Sequence, residues 1–120
     1  MIRVLVAVAG AALVLAVMPA YAAHTTVLKL STTTGATLKF TKSSLKAPAG
    51  VVKIVLTNKA IVPHNIAIKG NGVNVKGKVV PKGGVSTVKA TLKPGKYVFY
   101  CSVPGHEGAG MKGTLTVTKR

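Results

Sequence analysis

Turn residues recur along this chain at intervals that leave room for a short strand and little else. Thr34-Gly35, Pro48-Ala49-Gly50, Gly70-Asn71-Gly72, Pro81-Lys82-Gly83-Gly84 and Pro94-Gly95 punctuate it. Glycine there supplies backbone angles other residues avoid, and proline withholds an N–H. Between the turns lie segments 26–31, 37–41, 51–58, 64–69, 85–92, 96–101 and 113–118, rich in Val, Thr, Ile and Leu. Such residues suit a pleated, half-buried surface, and no stretch sustains a helical period. Seven short strands in about a hundred residues predict an antiparallel β-sandwich.

Alternation along a strand also assigns faces. Tyr97, Phe99 and Cys101 share one face, as do His64, Ile66 and Ile68. Leu115 and Val117 point inward, and the same parity carried back reaches Met111. Cys101, His64 and Met111 therefore fall on core-facing rows at strand ends, where a polar or soft side chain needs a partner. Tyr97, just after Pro94-Gly95, fits a tyrosine corner, whose hydroxyl bonds back to nearby backbone. It reads as structural rather than redox-active.

The first stretch of the chain belongs to no strand. Met1-Ile2-Arg3 is a short positive region, Val4 to Met18 is apolar, and Ala20-Tyr21-Ala22 is a small-x-small cleavage pattern. Residues 1–22 read as a signal peptide and 23–120 as one domain, too short to be two. The rival is an uncleaved anchor, because Val4 to Ala23 is long enough to cross a bilayer. Cys101 is too far from this segment to serve as a lipoprotein thiol. The expectation is an exported protein, periplasmic or extracellular and soluble after cleavage.

Charge narrows the partners. The chain carries a net +16 at pH 7, and its one acid is Glu107. Lysines run from Lys29 to Lys119 without a dense block, and Arg120 is the sole arginine after residue 22. Arginine supplies the fixed fork that reads phosphates and base edges, and aromatic residues are few. That combination argues against nucleic acid. Steering toward an acidic partner, or retention on an anionic cell-envelope surface, remains. Lysines solvating outer strand faces explain the spacing but not the missing acids.

Cys101 has no partner for an internal disulfide, being the single cysteine. In an exported protein that leaves an intermolecular bridge, a reactive thiol or a metal ligand. Its neighbours decide. The segment Cys101-Ser102-Val103-Pro104-Gly105-His106-Glu107-Gly108-Ala109-Gly110-Met111 places a thiolate, an imidazole and a thioether in one loop. His64 comes from a distant strand whose inward row starts at the same end. Alone, each residue has an ordinary explanation: Met as core filler, Cys as a small hydrophobe, His on the surface. Together, a His₂Cys set with a weak axial Met is the blue-copper pattern. His24, near the start of the domain, has no such partner and reads as surface.

Val62-Pro63-His64-Asn65, Tyr97-Val98-Phe99-Tyr100-Cys101 and Pro104-Gly105-His106-Glu107-Gly108-Ala109-Gly110-Met111-Lys112-Gly113 resemble the cupredoxin family. The likeness is to its plastocyanin, auracyanin and halocyanin group and covers nearly all of the chain after residue 22. It implies a Greek-key β-sandwich of seven to eight strands, with one type 1 copper near one pole, cycling between Cu(II) and Cu(I). His64, Cys101 and His106 would be equatorial ligands and Met111 the axial one. Asn65 would turn its backbone N–H toward the cysteine sulfur and tie the ligand loops through Ser102. The four residues between Cys101 and His106 make a longer loop than in plant plastocyanins, closer to the auracyanins and rusticyanin. The acidic patch of plastocyanins is missing as well.

The expectation is a monomeric, non-enzymatic carrier of one electron at a time, serving an acidic redox partner such as a cytochrome or a membrane oxidoreductase. A periplasmic copper carrier or store is the alternative, opposed by a closed four-ligand site. A copper enzyme with a second centre would need more histidines than His24. A metal-free adhesion sandwich would leave the ligand set without purpose.

Overall fold

The computed structural model describes residue 10 and residues 24–120; the expected signal segment lies outside them. Eight strands follow in order: β1 (Thr25–Ser31), β2 (Ser44–Pro48), β3 (Gly50–Thr57), β4 (Ala67–Gly70), β5 (Val73–Lys76), β6 (Val85–Leu92), β7 (Gly95–Tyr100) and β8 (Lys112–Thr118). They form two sheets, β1-β3-β6 and β2-β8-β7-β4-β5. Together these make the Greek-key sandwich that the turn spacing and the resemblance led us to expect.

The sandwich is mixed rather than wholly antiparallel. β1 runs parallel to β3, and β2 runs parallel to β8. Neither pair is joined by a hairpin, which is why local turn chemistry gives no sign of them. The predicted strand at 37–41 is absent. Phe40 makes only an isolated bridge to Thr32, while the following segment forms β2, although Pro48 reads as a turn residue. Proline is admissible there because β2 is an edge strand.

β4 and β5 form a hairpin whose two-residue loop is Asn71-Gly72, both with positive φ (48° and 80°). That is the type I′ turn that matches strand twist. The Asn-Gly signal was present, but β5 is only four residues long and half solvent-facing.

The core lies between the sheets. Val52, Ile54 and Leu56 of β3 meet Ile68, Phe99 and Leu115, all fully buried. Phe40 tilts against Phe99 with ring centroids 5.6 Å apart. β8 lacks a side chain at Gly113 because Phe99 needs the space: a Cβ there would collide with the ring and with the Ser43 carbonyl. Tyr97 makes the expected corner, its hydroxyl donating to the Lys93 carbonyl at 2.8 Å.

Candidate metal centre

β7 ends at Tyr100, and Cys101 is the next residue. Its N–H donates to the Met111 carbonyl at 3.1 Å, just beyond the β7–β8 ladder. The ligand loop is thus clamped at both ends by two paired strands. Inside it, turn bonds run from His106 N–H to Val103 O (3.0 Å), Ala109 N–H to Gly105 O (3.1 Å) and Met111 N–H to His106 O (3.1 Å). This compact turn folds His106 back over Cys101.

His64 arrives differently from expectation. It precedes β4 and sits in an isolated two-bond bridge with Val80. Residues 64–68 are all buried, so the predicted alternation fails there; the segment crosses the interior before the strand begins. Asn58, at the end of β3 and fully buried, fixes this approach. Its Nδ2 donates to Val62 O (3.0 Å) and Val80 O (2.9 Å), and its Oδ1 accepts from Ala60 N–H (3.0 Å). Nothing in the local sequence marks Asn58 for that task.

Three donors converge. His64 Nδ1 and His106 Nδ1 are 3.1 Å apart, and Cys101 Sγ lies 3.8 and 3.4 Å from them. All three residues are buried, with 8% of His106 still exposed. Met111 is fully buried beside them in the core. His24 is exposed beside β1 and takes no part.

Asn65 holds the two loops together as the resemblance implied. Its N–H points at Cys101 Sγ (3.5 Å), its Nδ2 donates to Ser102 Oγ (2.7 Å), and its Oδ1 accepts from Ser102 N–H (2.7 Å). A further bond from Nδ2 to Gly77 O (2.9 Å) extends the tie to the segment after β5.

Burial acts on the protonation of one donor. Burial, and secondarily the neighbouring His106, lower the His64 pKa below its usual 6.5, so the imidazole stays neutral with its lone pair available. Its Nε2 is buried without a hydrogen-bond partner, and among the described residues the ring's polar contacts, to His106 and Cys101, are made at Nδ1. Two nitrogens and a soft sulfur facing one point suit copper.

The sequence alone assigns Glu107 no role. Its carboxylate pairs with Lys69 of β4 at 2.6 Å, and the Lys69 ammonium sits 4.5 Å above the Tyr100 ring. Lys69 was legible only as an outward strand lysine.

The profile of copper-binding proteins of the plastocyanin/azurin family matches residues 26–118. The chain belongs to that family. Plastocyanin A/B of Petroselinum crispum is 41% identical over 88 residues, spanning 67% of this chain and 88% of the relative. Auracyanin-B of Chloroflexus aurantiacus is 64% identical over 28 residues, or 23% of this chain and 12% of its own. Among solved structures, a dithionite-reduced auracyanin from Roseiflexus castenholzii superposes with a TM-score of 0.69 at 25% identity, covering 78% of this chain and 97% of its own. Auracyanin B gives 0.67 at 28%, covering 77% and 88%. As a member of the family, the protein is a copper-binding cupredoxin, and the donor set described above fits that metal.

Proposed function

We propose that this cupredoxin carries single electrons between redox partners on a type 1 copper held by His64, Cys101, His106 and Met111. The observation that carries the reading is the meeting of two imidazole nitrogens and one cysteine sulfur within 3.8 Å of each other, with an Asn65 N–H aimed at the sulfur. When bound, copper supplies a one-electron couple between Cu(II) and Cu(I).

The chain's own residues do the rest. The β7–β8 clamp and the Asn58 and Asn65 bonds fix the donors in one arrangement, so little has to move when the charge changes. The Asn65 N–H withdraws density from the thiolate, which raises the reduction potential. The edge of His106 offers the one slightly exposed ligand ring. On the His64 side of the pole, Ile61 and Val79 are 64% and 46% exposed, and Val103 and Pro104 flank the other side in sequence. A small apolar surface of this kind suits brief docking.

The partner is an acidic redox protein, such as a cytochrome or a membrane oxidoreductase, drawn by the basic surface. Residues 1–22 act as an export signal, placing the domain outside the cytoplasmic membrane.

Cys101→Ser tests the assignment. Copper-loaded wild-type protein should be blue through thiolate charge transfer. The variant should lose that band while keeping the far-ultraviolet dichroism of a folded sandwich. A visible spectrum unchanged by the substitution would remove Cys101 from the site.

A further inference from the structure

The centre of the ligand loop is tethered to the sandwich at few points. Apart from contacts of the His106 ring, the described residues show one side-chain hydrogen bond or ion pair leaving segment 103–110 for another element. It joins Glu107 to Lys69, with Nζ 2.8 and 2.6 Å from the two carboxylate oxygens. Glu107 directly follows His106 and is the only acid among 120 residues that include 17 basic ones.

Lys69 is itself held. It belongs to β4, paired with Val98 on one side and Asn74 on the other. Its ammonium lies over the ring of Tyr100, the residue before Cys101, and that ring is pinned by its hydroxyl to Asn74 Oδ1 at 3.0 Å. One cation thus links the residue after one imidazole donor to the residue before the thiolate.

We infer that Lys69 and Glu107 form a clasp that positions His106, keeping the loop closed over Cys101 before any metal arrives. The proposal rests on the copper reading above and concerns how the site is preorganised. No other side chain could give Lys69 an ion pair, because Glu107 is the one acid in the sequence. The single carboxylate stands where it can fasten the loop. Both groups are about one-third exposed (38% and 32%), so the effect is modest, and its signature matters more than its size.

Two roles predict different patterns. A charge acting on the metal through space gives opposite results when Glu107 or Lys69 is neutralised, because the signs are opposite. A clasp gives the same result from either side. Glu107→Gln and Lys69→Met, singly and together, therefore separate them. In the metal-free protein, amide exchange of His106, Ala109 and Met111 should accelerate about 1.5-fold to fivefold in each single variant, the range open to a partly exposed pair. The double variant should add almost nothing, as expected for partners in one interaction. Lys69→Arg should restore most of the protection. Copper release to a chelator should quicken by a similar factor in both single variants.

Unchanged loop exchange in both single variants would overturn the clasp, as would effects that sum in the double variant. Those results leave the copper assignment intact if the protein is blue. A wild-type protein that takes up no copper would instead overturn the site assignment, while the exchange data would still report on the clasp.

Discussion

Met111 is as deeply buried as the Ile and Leu side chains around it, and in packing terms it is an ordinary core residue. What separates it from leucine is a thioether, on a residue whose backbone bonds both Cys101 and His106. Met111→Leu keeps apolar volume, and such swaps usually cost less than about 1.5 kcal/mol. The fold and the copper should therefore survive. A weak donor that favours Cu(II) is lost, so the reduction potential should rise. Cyclic voltammetry checks this, and a variant that no longer binds copper would show Met111 to be a main ligand. Cys101, His64 and His106 were legible at this scale because metal chemistry restricts residue types sharply, and Asn65 through the family resemblance. Glu107 and Lys69 were not, because an ion pair between distant segments leaves no spacing rule in the sequence.

Strands and their connections set where these side chains meet. The inward rows of β7 and β8 could be anticipated, since alternation places Tyr97, Phe99, Cys101 and Met111 in the core, where they are buried. The entry of His64 could not. It depends on Asn58, whose amide satisfies two carbonyls of the 62–80 region while its oxygen accepts from Ala60 N–H. Asn58→Ala would strand those groups in a buried place, at a cost on the order of 3 kcal/mol. For a domain of this length that corresponds to roughly 10 °C or more in Tm, measurable by calorimetry on metal-free protein. A melting temperature within a degree or two of wild type would show that water replaces the side chain. The parallel pairs β1–β3 and β2–β8 escaped the sequence reading for a related reason. Parallel neighbours come from distant parts of the chain, and Ser44–Pro48 carries two residues, Lys46 and Pro48, that do not favour strands.

Taken whole, the molecule has a strong sign and a localised function. On the proposed function, the fifteen lysines, eight of them in strands and one to each strand, would attract an acidic partner at long range, whereas docking near His106 would be apolar and nearly blind to salt. Electron transfer to an acidic cytochrome should therefore slow steeply as salt is added, with screening acting over about 10 Å at 0.1 M. A basic cytochrome should start slowly and speed up. Stopped-flow kinetics across ionic strengths checks both, and a rate indifferent to salt with either protein would assign the basic surface to something other than steering. The topology has a further consequence, in time rather than space. β8 slots between β2 and β7, and Ser44 meets Thr114 across most of the chain. Cys101, His106 and Met111 all fall in the last twenty residues. Pairings that distant form slowly. The β7–β8 clamp on the loop is local, but His64 lies 37 residues upstream of Cys101, so the donor set is complete only once these separated segments have met. A half-made chain offers the metal no finished site, so loading belongs after folding.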